Sequence, residues 1–159
     1  MDERKRSSKK QEELVAKEVE GRLTPASGAL WGSKGDVKSD LFLFECKTTS
    51  HDFYTLSFTT WDKIYKEALK ERLRIPVMQI DLNSGKDRLA VMRSEDIPIT
   101  CFLGLPTLEN DTTTTRISGP CSLTLRDKGC RKTYSLTAFP WSYFLDVVAP
   151  ALQADLTQD

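Results

Sequence analysis

A chain of 159 residues is long enough for one domain with a real core and a small appendage. Its 23 Lys and Arg balance 23 Asp and Glu, so overall charge selects no partner, and no apolar run approaches the length that spans a bilayer. The polar N-terminus does not read as a secretory signal, and four scattered cysteines (Cys46, Cys101, Cys121, Cys130) with a lone His51 do not make a usual zinc set.

Taken in order, residues 1–10 carry Arg4, Lys5, Arg6, Lys9 and Lys10 against Asp2 and Glu3, and read as a basic flexible arm. Residues 11–20 read as a helix ending at Gly21, with Val15 and Val19 on its apolar stripe. Glu12 lies one turn before Val15 and Ala16 and faces inward; Glu13 and Glu20 lie further round, toward solvent. Residues 22–35 are a short strand or loop rich in Gly, Pro and Ser. Residues 41–48 form an apolar strand, followed by a polar and aromatic stretch over 51–58 in which His51 is either a proton shuttle or a surface residue.

Thr59 begins a second helix with Asp62 completing a capping box, and Trp61, Ile64, Tyr65, Ala68, Leu69 and Leu73 recur at helical spacing until the chain must break before Pro76. Residues 77–82 and 88–93 are strands around the turn at 83–85. The order is α/β with a small mixed sheet flanked by helices, and 11–93 is the expected core. Residues 94–159 form a β-rich C-terminal extension packed on it, with Ser94-Glu95-Asp96 placed to begin a short helix and a Thr-rich loop or edge strand over 106–119. A hairpin over about 120–138 turns at Asp127-Lys128-Gly129, and a short helix over about 141–152 runs as far as Pro150. The thiols are expected to be reduced in a cytoplasmic protein, a Cys121–Cys130 bridge across the hairpin being the alternative.

Chemistry concentrates at the end of the first long strand. Leu41, Leu43, Glu45 and Lys47 share one face and Phe42, Phe44 and Cys46 the other, so Glu45 and Lys47 emerge together where a cleft can open. A chain reversal at Lys38-Ser39 brings Asp36 beside Glu45. Two carboxylates at ~4 Å repel by roughly 1 kcal/mol in water and about 4 at an effective dielectric of 20. A divalent cation reverses that sign, and Mg²⁺ is commonly held by one or two carboxylates plus substrate phosphate. Asp36, Glu45 and the Cys46 carbonyl are the candidate ligands, with Lys47 to orient or deprotonate the attacking water or to stabilise charge on phosphorus. Glu12 completes the shell or holds a second ion. The competing reading is an exposed Glu45–Lys47 ion pair worth less than ~1 kcal/mol. Thr48 is placed to hydrogen-bond a phosphate, and Lys63 on the second helix, with Arg131 and Lys132 on the basic hairpin, is placed to meet a DNA backbone; each is otherwise solvated surface.

Glu12, then "PASGA" (25–29), "KGD" (34–36) and "ECKTT" (45–49), stand in the order used by PD-(D/E)XK nucleases. Over about residues 10–93 the chain resembles that superfamily, and within it the Holliday junction resolvases of archaea and phages. The resemblance implies a restriction-endonuclease-like core of order α-β-β-β-α-β, metal ligation by Asp36 and Glu45, and a catalytic Lys47. It also implies a metal-shell or substrate role for Glu12 and a substrate-side role for Ser27, with Lys34 of the "KGD" motif nearby. Mg²⁺ is the implied cofactor, with Mn²⁺ as substitute; the partners are branched or duplex DNA and a second copy in a symmetric homodimer, in the cytoplasm of a bacterial or archaeal host or as a phage product. Gly35 stands where the family has Pro, and the short Asp-to-Glu spacing leaves Asp40 as a rival ligand to Asp36. A restriction- or repair-type nuclease, an exonuclease and a silent DNA-binding module on the same core are the alternatives.

Overall fold

The structure, a computed structural model, describes residues 2–24, 36–105, 115–129 and 131–158. Its first helix, α1 (Glu3–Glu18), begins eight residues before the expected start, so the supposed arm is helical. Asp2 caps it by accepting from the Arg4 amide, and Ser8 donates to Glu12 (3.1 Å) one turn apart. Its first turns are exposed all round and carry no apolar stripe to reveal them; the helix is held by its cap and by pairs such as Lys9–Glu13. It ends in a Schellman arrangement: the Gly21 amide bonds the Ala16 carbonyl while Glu20, not Gly21, takes the left-handed conformation at φ 53°. Gly21 is needed for close approach instead, since a Cβ there would sit 2.7 Å from the Lys38 carbonyl.

The strands that follow are β1 (Arg22–Leu23), β2 (Val37–Lys38), β3 (Phe42–Thr48) and β4 (Tyr54–Thr55), then α2 (Phe58–Lys70), β5 (Ile75–Leu82) and β6 (Asp87–Arg93). After a short α3 (Ile99–Phe102) come β7 (Arg116–Ile117), β8 (Cys121–Arg126) and β9 (Thr133–Pro140). One seven-stranded sheet runs β1-β2-β3-β5-β6-β9-β8, and β4 pairs with β7 in a second ladder. The sheet is mixed and mostly antiparallel; β3 and β5 are the parallel pair, joined through α2. The hairpin of the extension therefore belongs to the same sheet, because β9 pairs with β6.

Alternation along β3 sorts the core as expected. Phe42, Phe44 and Cys46 face α1 and the C-terminal helix, in a cluster with Val15, Trp141 and Phe144. Met78, Ile80 and Val91 face α2 in a second cluster with Trp61, Ile64, Leu123 and Leu136. Phe42, Phe44, Trp141 and Phe144 meet in edge-to-face and stacked contacts with centroids 4.9–5.9 Å apart, each worth about 0.5–1.5 kcal/mol beyond area burial.

Two further expected boundaries shift. α2 is capped by Ser57, which accepts from the Thr60 amide (3.2 Å), so the Thr59–Asp62 capping box does not form. Asp62 instead accepts from Tyr134 (2.6 Å), Lys132 (3.0 Å) and Lys66 (2.6 Å), tying α2 to the β8–β9 hairpin. Those bonds outweigh its partial burial and hold its carboxyl well below the ordinary range. The C-terminal helix does not stop at Pro150: α4 (Trp141–Tyr143) passes through a π-helical turn (Phe144–Val148) into α5 (Ala149–Leu156). In that turn the Ala149 amide reaches back to the Phe144 carbonyl, a looser spacing that lets Pro150, with no amide to donate, enter at the start of α5. No helix among the described residues is long and apolar enough to cross a membrane. Cys46 and Cys101 are buried free thiols; the Cys121–Cys130 alternative involves Cys130, outside the described residues.

Candidate active site

The reversal between β2 and β3 is built on Ser39. Its amide donates to the Phe42 carbonyl (3.0 Å), its hydroxyl accepts from the Phe42 amide (3.1 Å), and its carbonyl accepts from Arg74 (2.7 Å). The register that results pairs Val37 with Phe44, and the Asp36 amide donates to the Phe44 carbonyl (2.9 Å). Two residues further along β3, the Cys46 amide donates to Asp36 Oδ2 at 2.7 Å. Amide and carbonyl of a strand residue project toward the same edge, so the Cys46 carbonyl turns toward the Asp36 side as well. Asp40 sits exposed in the turn at the other end of β3 from Glu45, leaving Asp36 as the carboxylate beside Glu45.

Glu45 is half-buried and accepts from Lys47 Nζ at 2.9 Å. Burial, then the Glu45 charge, raise the Asp36 carboxyl to about 6; Glu12 adds to the rise, while the Cys46 amide and Lys47 oppose it. Burial works to discharge Lys47, but the charge and hydrogen bond of Glu45 outweigh it, so its pKa rises and the ammonium form is favoured. Burial and the surrounding carboxylates push the Cys46 thiol up, which leaves its backbone as the functional part. Glu12 is half-buried on α1 and bears electrostatically on Asp36; Glu13 is exposed and pairs with Lys9.

Ser27 and Lys34 lie outside the described residues. Thr48 ends β3 opposite Asp81, half-buried. Lys63 is exposed beside Glu67, and Arg131 is exposed at the hairpin turn. Lys132 is committed to Asp62 and lies over the Tyr65 and Tyr134 rings, which makes it a tether between hairpin and helix. Among the described residues no group of three His, Cys, Asp or Glu side chains forms a ready-made metal cage. Asp36, with the Cys46 carbonyl on its side of β3, and Glu45, whose charge bears on Asp36, are donors of the type that suits Mg²⁺, which takes few protein ligands and keeps its waters. The Asp36 carboxyl is elevated first by its burial and then by the Glu45 charge, and a cation held there would oppose both effects.

Two further groups escaped the sequence reading. Tyr54 on β4 is half-buried beside Lys47 and Glu45; burial raises its phenol, Lys47 opposes and Glu45 adds. Gln11 on α1 is buried and donates to the Lys47 carbonyl (2.7 Å) and to Gln79 Oε1 (2.7 Å). Gln79 donates to Asp81 (2.6 Å), Arg88 bridges Asp81 (3.3 Å) and Glu18 (2.7 Å), and Trp141 Nε1 donates to Glu18 (3.0 Å). Two polar residues on alternate positions of the otherwise apolar β5 were the available signal, since a buried carboxylate demands partners. Comparison with protein-family models, with curated proteins and with solved structures finds no match for this chain.

Proposed function

We propose that this chain is a Mg²⁺-dependent DNA endonuclease of the PD-(D/E)XK type, acting first on branched DNA such as a four-way junction. The observation that carries the reading is the Asp36 carboxylate seated on the Cys46 amide, beside a Glu45–Lys47 pair at the end of a buried strand. The order α1-β1-β2-β3-β4-α2-β5, in which β4 stands outside the main sheet and β3 and β5 are parallel, supports a restriction-endonuclease-like core as its frame. A symmetric homodimer in the cytoplasm, repeating the site for the second strand, completes the proposal.

Asp36, Glu45 and the Cys46 carbonyl would hold Mg²⁺, with Glu12 at the margin. When bound, the ion supplies Lewis-acid stabilisation of phosphoryl charge and a water of lowered pKa. The chain's own contribution is positional. Asp36 is fixed by the Cys46 amide, Glu45 is fixed by Lys47, and the Lys47 ammonium offers a cation where charge gathers on a scissile phosphate. The raised Lys47 pKa suits charge stabilisation and water orientation better than proton abstraction.

The test is cleavage of labelled four-way junction, flap and linear duplex, with Mg²⁺ or chelator, by wild type and Lys47→Ala. Paired symmetric nicks in the junction alone, lost in chelator and reduced about 10²–10³-fold in the variant, are expected. Cutting of every substrate would redirect the reading to a restriction- or repair-type nuclease or an exonuclease. Tight binding without cutting would make the chain a silent DNA-binding module.

A further inference from the structure

Past the end of β3 stand planar side chains that the chemistry above does not use. Beyond β3 the chain is pinned: the Thr49 amide donates to the Asp81 carbonyl (2.9 Å), the Ser84 amide to the Thr49 carbonyl (2.9 Å), and the Asn83 amide to the His51 carbonyl (2.8 Å). Asn83 and Ser84, which make two of those bonds, both take positive φ. On this anchored segment His51 stacks on Phe53, with centroids 5.5 Å apart and planes at 28°. The Arg116 guanidinium, from β7, lies 3.5 Å over the Phe53 ring. The β4–β7 ladder sets Ile117 opposite Tyr54 and Arg116 opposite Thr55, so the stack stands on the outer face of a ladder whose inner face carries Tyr54, the residue that feels Lys47 and Glu45. His51 and Arg116 are exposed and Phe53 is half-buried, so the stack stands at the surface.

We infer that His51, Phe53 and Arg116 form a stacking platform for an unpaired nucleobase next to the scissile strand. The inference rests on the nuclease reading and narrows its substrate to DNA that presents a base outside the duplex stack. Aromatic faces bind any base, and a guanidinium plane beside them extends the stacking surface. Asp52, exposed between His51 and Phe53, opposes capture of a bare phosphate and leaves stacking as the main attraction. Taking a base out of a regular duplex costs a few kcal/mol, and least where it is already unpaired. The platform thus favours branch points, flaps and frayed ends by shape, with no sequence readout.

The test measures affinity, with Ca²⁺ in place of Mg²⁺, for a four-way junction carrying 2-aminopurine at the branch and for the same arms as linear duplex. Wild type is expected to quench the 2-aminopurine emission. The junction-to-duplex affinity ratio should fall about tenfold in both Phe53→Leu and His51→Ala, with melting temperatures within about 1 °C of wild type. If wild type cuts DNA with Mg²⁺ and both variants keep the full ratio and the quenching, the platform is overturned and the nuclease stands. If the ratio depends on Phe53 but wild type cuts nothing, the platform stands and the nuclease falls. If wild type binds neither DNA, both fall.

Discussion

Asp36 is held against its own charge. Its ordinary pKa of 3.8 rises to about 6 in the folded chain, chiefly through burial and the neighbouring Glu45. A carboxyl raised on folding lends its full stabilisation below pH ~4 and loses it as pH rises through ~6, so at neutral pH ionised Asp36 weakens the metal-free fold. Two units correspond to about 3 kcal/mol at most, and partial solvent access reduces that to about 1–2. Asp36→Asn keeps an acceptor for the Cys46 amide and removes the charge. It should abolish cutting yet raise the melting temperature in chelator by about 2–6 °C at pH 7.5, with the gain vanishing near pH 4. A fall at neutral pH would instead identify Asp36 as a structural cap. Asp36, Glu45 and Lys47 were legible because strand alternation and one turn suffice to bring them together. Tyr54 was not, since its place beside Lys47 depends on a second ladder paired with distant β7.

Among the elements, α1 shows how a polar helix is docked. Its buried residues are Gln11, Val15 and Ala16, so apolar burial is small and the Gln11 bonds to Lys47 and Gln79 set its register on the sheet. That register turns Glu12 toward Asp36. Gln11→Ala strips donors from the Lys47 carbonyl and from buried Gln79, and should cost about 2–3 kcal/mol in urea unfolding; a loss below ~0.5 would mean α1 is held by packing alone. The first turns of α1 were illegible because hydrophobic periodicity marks helices that bury a stripe, and these turns bury none. The Asp62 capping box failed for a related reason: the local pattern fitted, but a nearby hydroxyl and two ammonium groups outcompeted the backbone for the same carboxylate.

For the whole molecule, the expected core over 11–93 and the extension over 94–159 share one sheet. β9 extends the sheet from β6, and Trp141 and Phe144 complete the aromatic cluster around Phe42 and Phe44. A chain ending at residue 93 exposes that cluster and one long edge of β6, and should give neither cooperative unfolding nor dispersed amide resonances; a folded fragment would restore the two-part view. Mg²⁺ at ten times its dissociation constant should stabilise the full chain by about 1.4 kcal/mol, a rise of roughly 3–6 °C, and Asp36→Asn should abolish the shift. An equal shift in the variant would place the ion elsewhere.

The sequence by itself determined what short-range geometry dictates: the α/β class, both faces of β3, the turn that folds Asp36 onto Glu45, and the inward side of α1. Each follows from a period of 2 or 3.6 or from one reversal, and needs no knowledge of distant residues. Tertiary structure alone decided that the last third of the chain shares the sheet, that Lys132 binds Asp62, that Gln11 clamps the strand bearing Lys47, and that Arg116 from β7 meets Phe53. Those contacts join residues far apart in the chain, and their partners are selected by which surfaces the completed sheet brings together, a quantity that no local pattern encodes.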